Sequence, residues 1–139
     1  MRVGFLDLIA QWPLVSACTP AERRTIARTA DYLHVAAGAL VSSANDRLNP
    51  VVIVVNGELC IIRRGGVTKV REGSVVGAAE VLACRPRSGV VVTATDADLV
   101  LIEPRRFLPL LVRCPNLAVE LLRTLARQSL AETAGSWDD

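Results

Sequence analysis

From Tyr32 to Glu103 the sequence is cut into apolar runs of strand length by glycine, asparagine and aspartate, with one short apolar interruption after Gly77. Tyr32–Val35, Ala39–Val41 and Val51–Val55 read as strands of period two, separated by loops at Gly38 and over Ser42–Pro50. Asn56-Gly57 reads as a hairpin turn, because both central residues of a type I′ turn take positive φ, and Glu58–Arg64 is expected back as the partner strand. Gly65-Gly66 turns again into Val67–Arg71. Val90–Thr95 and Leu99–Glu103 follow, joined by a turn at Asp96-Ala97-Asp98. Many short strands with frequent turns favour a closed double-sheet roll over an open sheet.

Helices flank this run. Phe5, Leu8, Ile9 and Trp12 fall at helical spacing, which predicts a short amphipathic helix over Val3–Trp12 that Pro13 ends. Thr19-Pro20-Ala21-Glu22 forms a capping box with proline at the first helical position. The helix it opens turns Ile26, Ala27 and Ala30 inward and is expected to stop near Asp31. Pro104 starts another helix through Val112, with a kink or break expected at Pro109. Pro115 starts a longer one, with Leu117, Leu121 and Leu125 on an apolar stripe and Leu122 beside it. Residues 134–139 read as a frayed acidic tail, leaving one domain over 1–133. The predicted fold is mainly β: a jelly roll, or double-stranded β-helix, of about eight strands with N- and C-terminal helices.

Composition narrows the function. No apolar run reaches the ~20 residues of a membrane-spanning helix, and no basic leader opens the chain, so a cytoplasmic location is expected. A net charge of +2, with fifteen Arg and one Lys scattered along the chain, does not concentrate positive charge as a nucleic-acid surface does. Cys18, Cys60, Cys84 and Cys114 lie far apart and share the single histidine, His34, so no metal-ligand spacing exists and reduced, mostly buried thiols are expected. His34 has no carboxylate in sequence reach, Ser88 has no His/Asp arrangement around it, and Glu103 and Asp98 read as turn and cap residues. No catalytic constellation results, and an enzyme is the least favoured class.

The segment Gly73–Val92, GSVVGAAEVLACRPRSGVVV, carries the chemistry. A glycine turn at Gly77 opens a short apolar run, and Arg87-Ser88 precedes a valine strand. Backbone N–H groups at a helix start, together with a guanidinium on rigid backbone, are what a phosphate needs.

This segment resembles the phosphate-binding cassette of the cyclic-nucleotide-binding domain family, as found in catabolite-activator regulators and protein-kinase regulatory subunits. The resemblance extends over roughly Phe5–Leu130. It includes Pro13-Leu14, Val35–Val41 around Gly38, Val52–Leu59 around Gly57, Gly73 and Gly77, Pro86-Arg87-Ser88, and Ala97–Ile102. It implies a ligand site at Gly77, Ala78, Ala79, Glu80, Arg87 and Ser88, with cyclic AMP or cyclic GMP as the ligand class. Gly77 and Arg87 match the family pattern. Ala78 stands where the family has a glutamate that holds the ribose, and Glu80 stands where it has a small residue beside the phosphate. Losing a charged hydrogen-bond partner costs about 2–4 kcal/mol of binding.

Two arrangements of Glu80 are open: an internal ion pair that fills the anion site of Arg87, or an exposed carboxylate that leaves Arg87 free. The resemblance therefore implies a non-enzymatic regulatory or interaction module with weakened or lost nucleotide affinity, and a true cyclic-nucleotide sensor as the alternative. The chain has no room for the helix-turn-helix domain that catabolite activators carry after the long helix, so direct DNA binding is not expected. A protein partner or self-association is expected through Leu122, Leu125, Ala126 and Leu130.

Overall fold

The computed structural model describes residues 12–44, 46, 48–87 and 89–137, with side chains as far as residue 132. The helix expected over Val3–Trp12 therefore lies outside the described residues apart from Trp12, and so does Ser88. Among the described residues no helix is long and apolar enough to cross a membrane.

Helix α1 (Pro20–Thr29) starts on the expected capping box, with both reciprocal hydrogen bonds between Thr19 and Glu22 present. It stops at Thr29, because Asp31 already belongs to β1 (Asp31–Val35). The remaining strands are β2 (Leu40–Ser42), β3 (Val51–Asn56), β4 (Leu59–Arg63), β5 (Gly66–Val70), β6 (Val75–Val76), β7 (Val90–Thr93) and β8 (Ala97–Ile102). They form two four-stranded antiparallel sheets, ordered β1-β8-β3-β6 and β2-β7-β4-β5. The short helix α2 (Ala78–Leu82) interrupts the strands, and α3 (Pro104–Arg113) and α4 (Pro115–Trp137) close the chain.

Strand β3 has Val51 to Val54 all buried, because it is covered on both faces. Val51 and Ile53 join Val100, Ile102, Phe107, Leu117 and Leu121 in a core between the first sheet and the helices. Val52 and Val54 join Leu59, Ile61, Val91 and Leu99 in a second core inside the roll. Period-two alternation thus feeds two cores from one strand.

Three expectations are corrected. Asn56-Gly57 is not a hairpin: β3 pairs with β8 and β6, while β4 belongs to the other sheet. The turn is a corner between sheets, with positive φ at Gly57 only, and a Cβ there would collide with the Asp96 carbonyl and Ala97. Second, Ala97 and Asp98 are strand residues of β8 rather than turn residues. Third, the break expected at Pro109 is absent: α3 continues through it to Arg113, with Phe107 and Leu110 buried on either side. Helix α4 is assigned as far as Trp137.

Candidate functional site: a buried arginine behind the cassette

The cassette is built on the strand β6, the turn at Gly77 and the helix α2. Gly77 is the N-cap residue of α2 at φ 90°, a conformation that side chains with a Cβ rarely adopt. Here the glycine is needed twice over, because a Cβ would land on the guanidinium of Arg87. Ala78 is fully buried and packs into the core between sheet and helices. Ala79 is exposed and Glu80 half-buried.

Arg87 points inward and is only 4% exposed. Its Nη1 donates to Ser42 Oγ at 2.6 Å. Its Nη2 donates to the Pro50 carbonyl and, at 3.5 Å, to the Val76 carbonyl. All three acceptors are neutral oxygens. The ion pair between Glu80 and Arg87, one of the two arrangements open from sequence, is not formed: among the described residues no carboxylate lies within 4.0 Å of this guanidinium. Glu80, half-buried in the first turn of α2, acts on Arg87 through its charge alone. Burial pulls the Arg87 pKa down, and the Glu80 charge opposes that shift.

Ser42 and Pro50 escaped the sequence reading. They lie 45 and 37 residues from Arg87, and no local pattern joins them to it. Asn49, beside Pro50, exchanges hydrogen bonds with the Ser43 backbone and so fixes the loop that presents the Pro50 carbonyl.

A second polar cluster lies on β1 and β8. His34 and Asp98 face each other in register, with Nδ1 and Oδ1 2.7 Å apart. The hydrogen bond to Asp98 raises the His34 pKa. The bond from His34, with further ones from Tyr32 and Asn56, outweighs burial and lowers that of Asp98. Asp98 also borders a cleft of about 810 Å³ between β3, residues 72–74 and α4. This cleft opens on the helix side of β3, and neither Gly77 nor Arg87 lines it.

The four cysteines are free. Only Cys18 and Cys114 are buried; Cys60 is half-buried and Cys84 exposed, so the expectation of mostly buried thiols holds for half of them. Burial pushes the Cys18 thiol up to about 11 and raises Cys114 as well, which leaves both protonated and unreactive at neutral pH. On α4, Leu122 and Leu130 are 63% and 70% exposed and Ala126 is exposed, whereas Leu125 packs against the core.

No protein-family model and no curated protein matches the sequence. Solved structures do match. The chain is similar to the catabolite activator protein of Thermus thermophilus, with a TM-score of 0.71 and 23% identity over 91% of this chain and 62% of that one. It is also similar to the regulatory domain of Toxoplasma gondii PKA crystallised with cAMP, with a TM-score of 0.73, 16% identity, and 92% and 50% of the two chains covered. A regulatory subunit of a cAMP-independent protein kinase A from Trypanosoma brucei gives a TM-score of 0.76 at 17% identity, covering 99% and 52%. The chain has the fold of a cyclic-nucleotide-binding domain: a double-sheet roll with flanking helices. It spans between about half and about 62% of the length of these three proteins.

Proposed function

We propose that the chain is a non-enzymatic regulatory and interaction module of the cytoplasm, built on the cyclic-nucleotide-binding fold, with cyclic-nucleotide affinity weakened or lost. The observation that carries this reading is the engagement of Arg87 with Ser42, Pro50 and Val76. A cyclic phosphate must draw the guanidinium away from acceptors it already has, and no carboxylate at Ala78 repays the exchange on the ribose. A charge-assisted hydrogen bond contributes about 1.5–3 kcal/mol, so losing that partner is not a small deficit. The same fold occurs in a regulatory subunit whose kinase is cAMP-independent. Function then rests on surfaces, foremost the stripe of Leu122, Ala126 and Leu130 on α4.

Calorimetric titration with cyclic AMP and cyclic GMP tests the ligand half, with Arg87→Ala as control. No binding tighter than micromolar is expected; submicromolar binding that Arg87→Ala abolishes would overturn it. Light scattering over a concentration range tests the surface half, comparing the parent with Leu122→Glu and Leu130→Glu. Association that both substitutions abolish is expected. A strictly monomeric parent, with no partner contact mapped to α4, returns the stripe to ordinary exposed surface.

One observation favours the alternative, a true sensor of cyclic AMP or cyclic GMP. Arg87 is a buried cation with no carboxylate within 4.0 Å among the described residues, and burial already disfavours its charge. An arriving anion would relieve that cost. The titration separates the two readings.

A further inference from the structure

Strand β6 is the outermost strand of its sheet, and an outermost strand turns backbone groups away from its only neighbour. At Val75 both of those groups are taken by one side chain. Gln128, 53 residues further on, accepts from the Val75 N–H through Oε1 at 3.0 Å and donates from Nε2 to the Val75 carbonyl at 3.3 Å. A primary amide carries the same donor and acceptor as a peptide group. Gln128 thus sits on the open edge as a strand of a single residue.

The next residue is held from another direction. Val76 gives its carbonyl to Arg87 at 3.5 Å. The two residues of β6 are therefore gripped by Gln128 from α4 and by Arg87 from behind the cassette. Backbone pairing of so short a strand is limited to β3, at Val52 and Ile53 with flanking bonds between Gly73, Ser74 and Val54, while Val75 and Val76 bury their side chains in the two cores. Apolar anchoring of α4 also runs out here, since Leu117 and Leu121 are buried and Leu125 is partly buried, while Ala126 and Leu130 are exposed.

We propose that Gln128 is a latch that fixes α4 to the cassette, so that the seat of α4 and the engagement of Arg87 with Val76 depend on each other. Coupling of this kind is reciprocal. A partner that pulls α4 outward by the Leu122–Ala126–Leu130 stripe releases Val75, and with it the strand whose carbonyl Arg87 holds. An anion that draws Arg87 away from Val76 loosens the same strand and weakens the grip of Gln128. Gln128 is a positioning residue in this scheme and touches no ligand. The coupling rests on the reading of Arg87 given under Proposed function, whereas the latch itself does not.

Amide hydrogen exchange on the full chain tests both parts. Gln128→Ala should speed exchange at Val75 by about tenfold or more, with faster exchange over 125–132, and leave the β4–β5 hairpin unchanged. Gln128→Glu keeps the acceptor for the Val75 N–H and loses the donor to its carbonyl, so its protection should fall between the two; it also carries the test should Gln128→Ala unfold. Arg87→Met should speed exchange over 125–132 although Arg87 donates no hydrogen bond to α4. Unchanged exchange at Val75 and over 125–132 in both Gln128 variants overturns the latch. Loosening in those variants with no response of 125–132 to Arg87→Met overturns the coupling. Tight cyclic AMP binding in the calorimeter would overturn weakened affinity and leave the latch standing, so the two failures are distinguishable.

Discussion

Glu22 and Arg87 are both buried charged side chains, 7% and 4% exposed, and neither is paired with an opposite charge within 4.0 Å among the described residues. Their surroundings treat the charge in opposite ways. Glu22 receives hydrogen bonds from the Thr19 N–H at 2.8 Å, the Asn116 N–H at 3.2 Å and Asn116 Nδ2 at 2.7 Å. Those donors stand at the N-termini of α1 and α4, where the helix dipoles favour an anion. Burial pushes the Glu22 carboxyl up, and the hydrogen bonds from Asn116 and Thr19 outweigh it, so its pKa falls below the ordinary 4.5. For Arg87, neutral acceptors and the distant Glu80 do not outweigh burial, and its pKa is lowered, against the cation. Glu22 is a joint between two helices. Arg87 is a cation that burial disfavours and that no carboxylate within 4.0 Å offsets among the described residues.

The largest expected effect is on Glu22. Glu22→Ala removes one half of the α1 capping box and leaves Asn116 and Thr19 donors without an acceptor, which should destabilise the fold by about 3 kcal/mol in chemical denaturation. Its acid limb gives a second measure. A carboxyl whose pKa is depressed in the folded state contributes stability that is complete above the unfolded value of 4.5 and is lost as pH falls through the folded one. Glu22→Gln should flatten the stability–pH curve below that value. A curve that keeps its acid limb in Glu22→Gln would mean that other carboxylates carry it, and that the joint is weaker than drawn.

A smaller effect is expected at Arg87. Replacing a buried charge by an apolar side chain of similar length removes the desolvation cost along with the hydrogen bonds. Arg87→Met should therefore change stability by about 1 kcal/mol or less, even though Arg87 is as buried as Glu22. A loss as large as that of Glu22→Ala would break the comparison and make Arg87 a structural strut. Gly77→Ala sharpens it from the other side, because the new methyl displaces the guanidinium and strains the turn together. Its cost should exceed that of Arg87→Met, and in the double variant part of the excess should disappear.

Local rules reached one side of this pair further than the other. The Thr19–Glu22 capping box is a spacing of three residues and is visible in the sequence, as is the need for glycine at position 77. Asn116 lies 94 residues from Glu22, and Ser42 and Pro50 reach Arg87 only after the roll has closed, so neither set has a local signal. The misread Asn56-Gly57 turn has the same cause. A dipeptide specifies positive φ and a change of direction, but which sheet receives the next strand depends on β6 and β8 filling both edges of β3. The Gln128 clamp on Val75 is further still from local rules, because β6 is only two residues long and no period can be read from it.

The smallest effect belongs to His34 and Asp98, the exposed counterpart of these buried groups. His34 carries the only imidazole in the chain, so its titration can be followed by NMR without assignment ambiguity. The Asp98 hydrogen bond raises its pKa above the ordinary 6.5. Any stability it brings is therefore present below 6.5 and fades as pH rises through the folded value, the reverse of the Glu22 limb. Asp98→Asn should return the His34 pKa toward 6.5 and leave thermal stability at neutral pH nearly unchanged, because water screens a pair whose histidine side chain is 67% exposed. A stability loss approaching that of Glu22→Ala would show that the Tyr32–Asp98–Asn56 row holds β1 and β3 to β8 through Asp98. In that case hydrogen-bond count, rather than burial, would set the ranking of the charged groups in this fold.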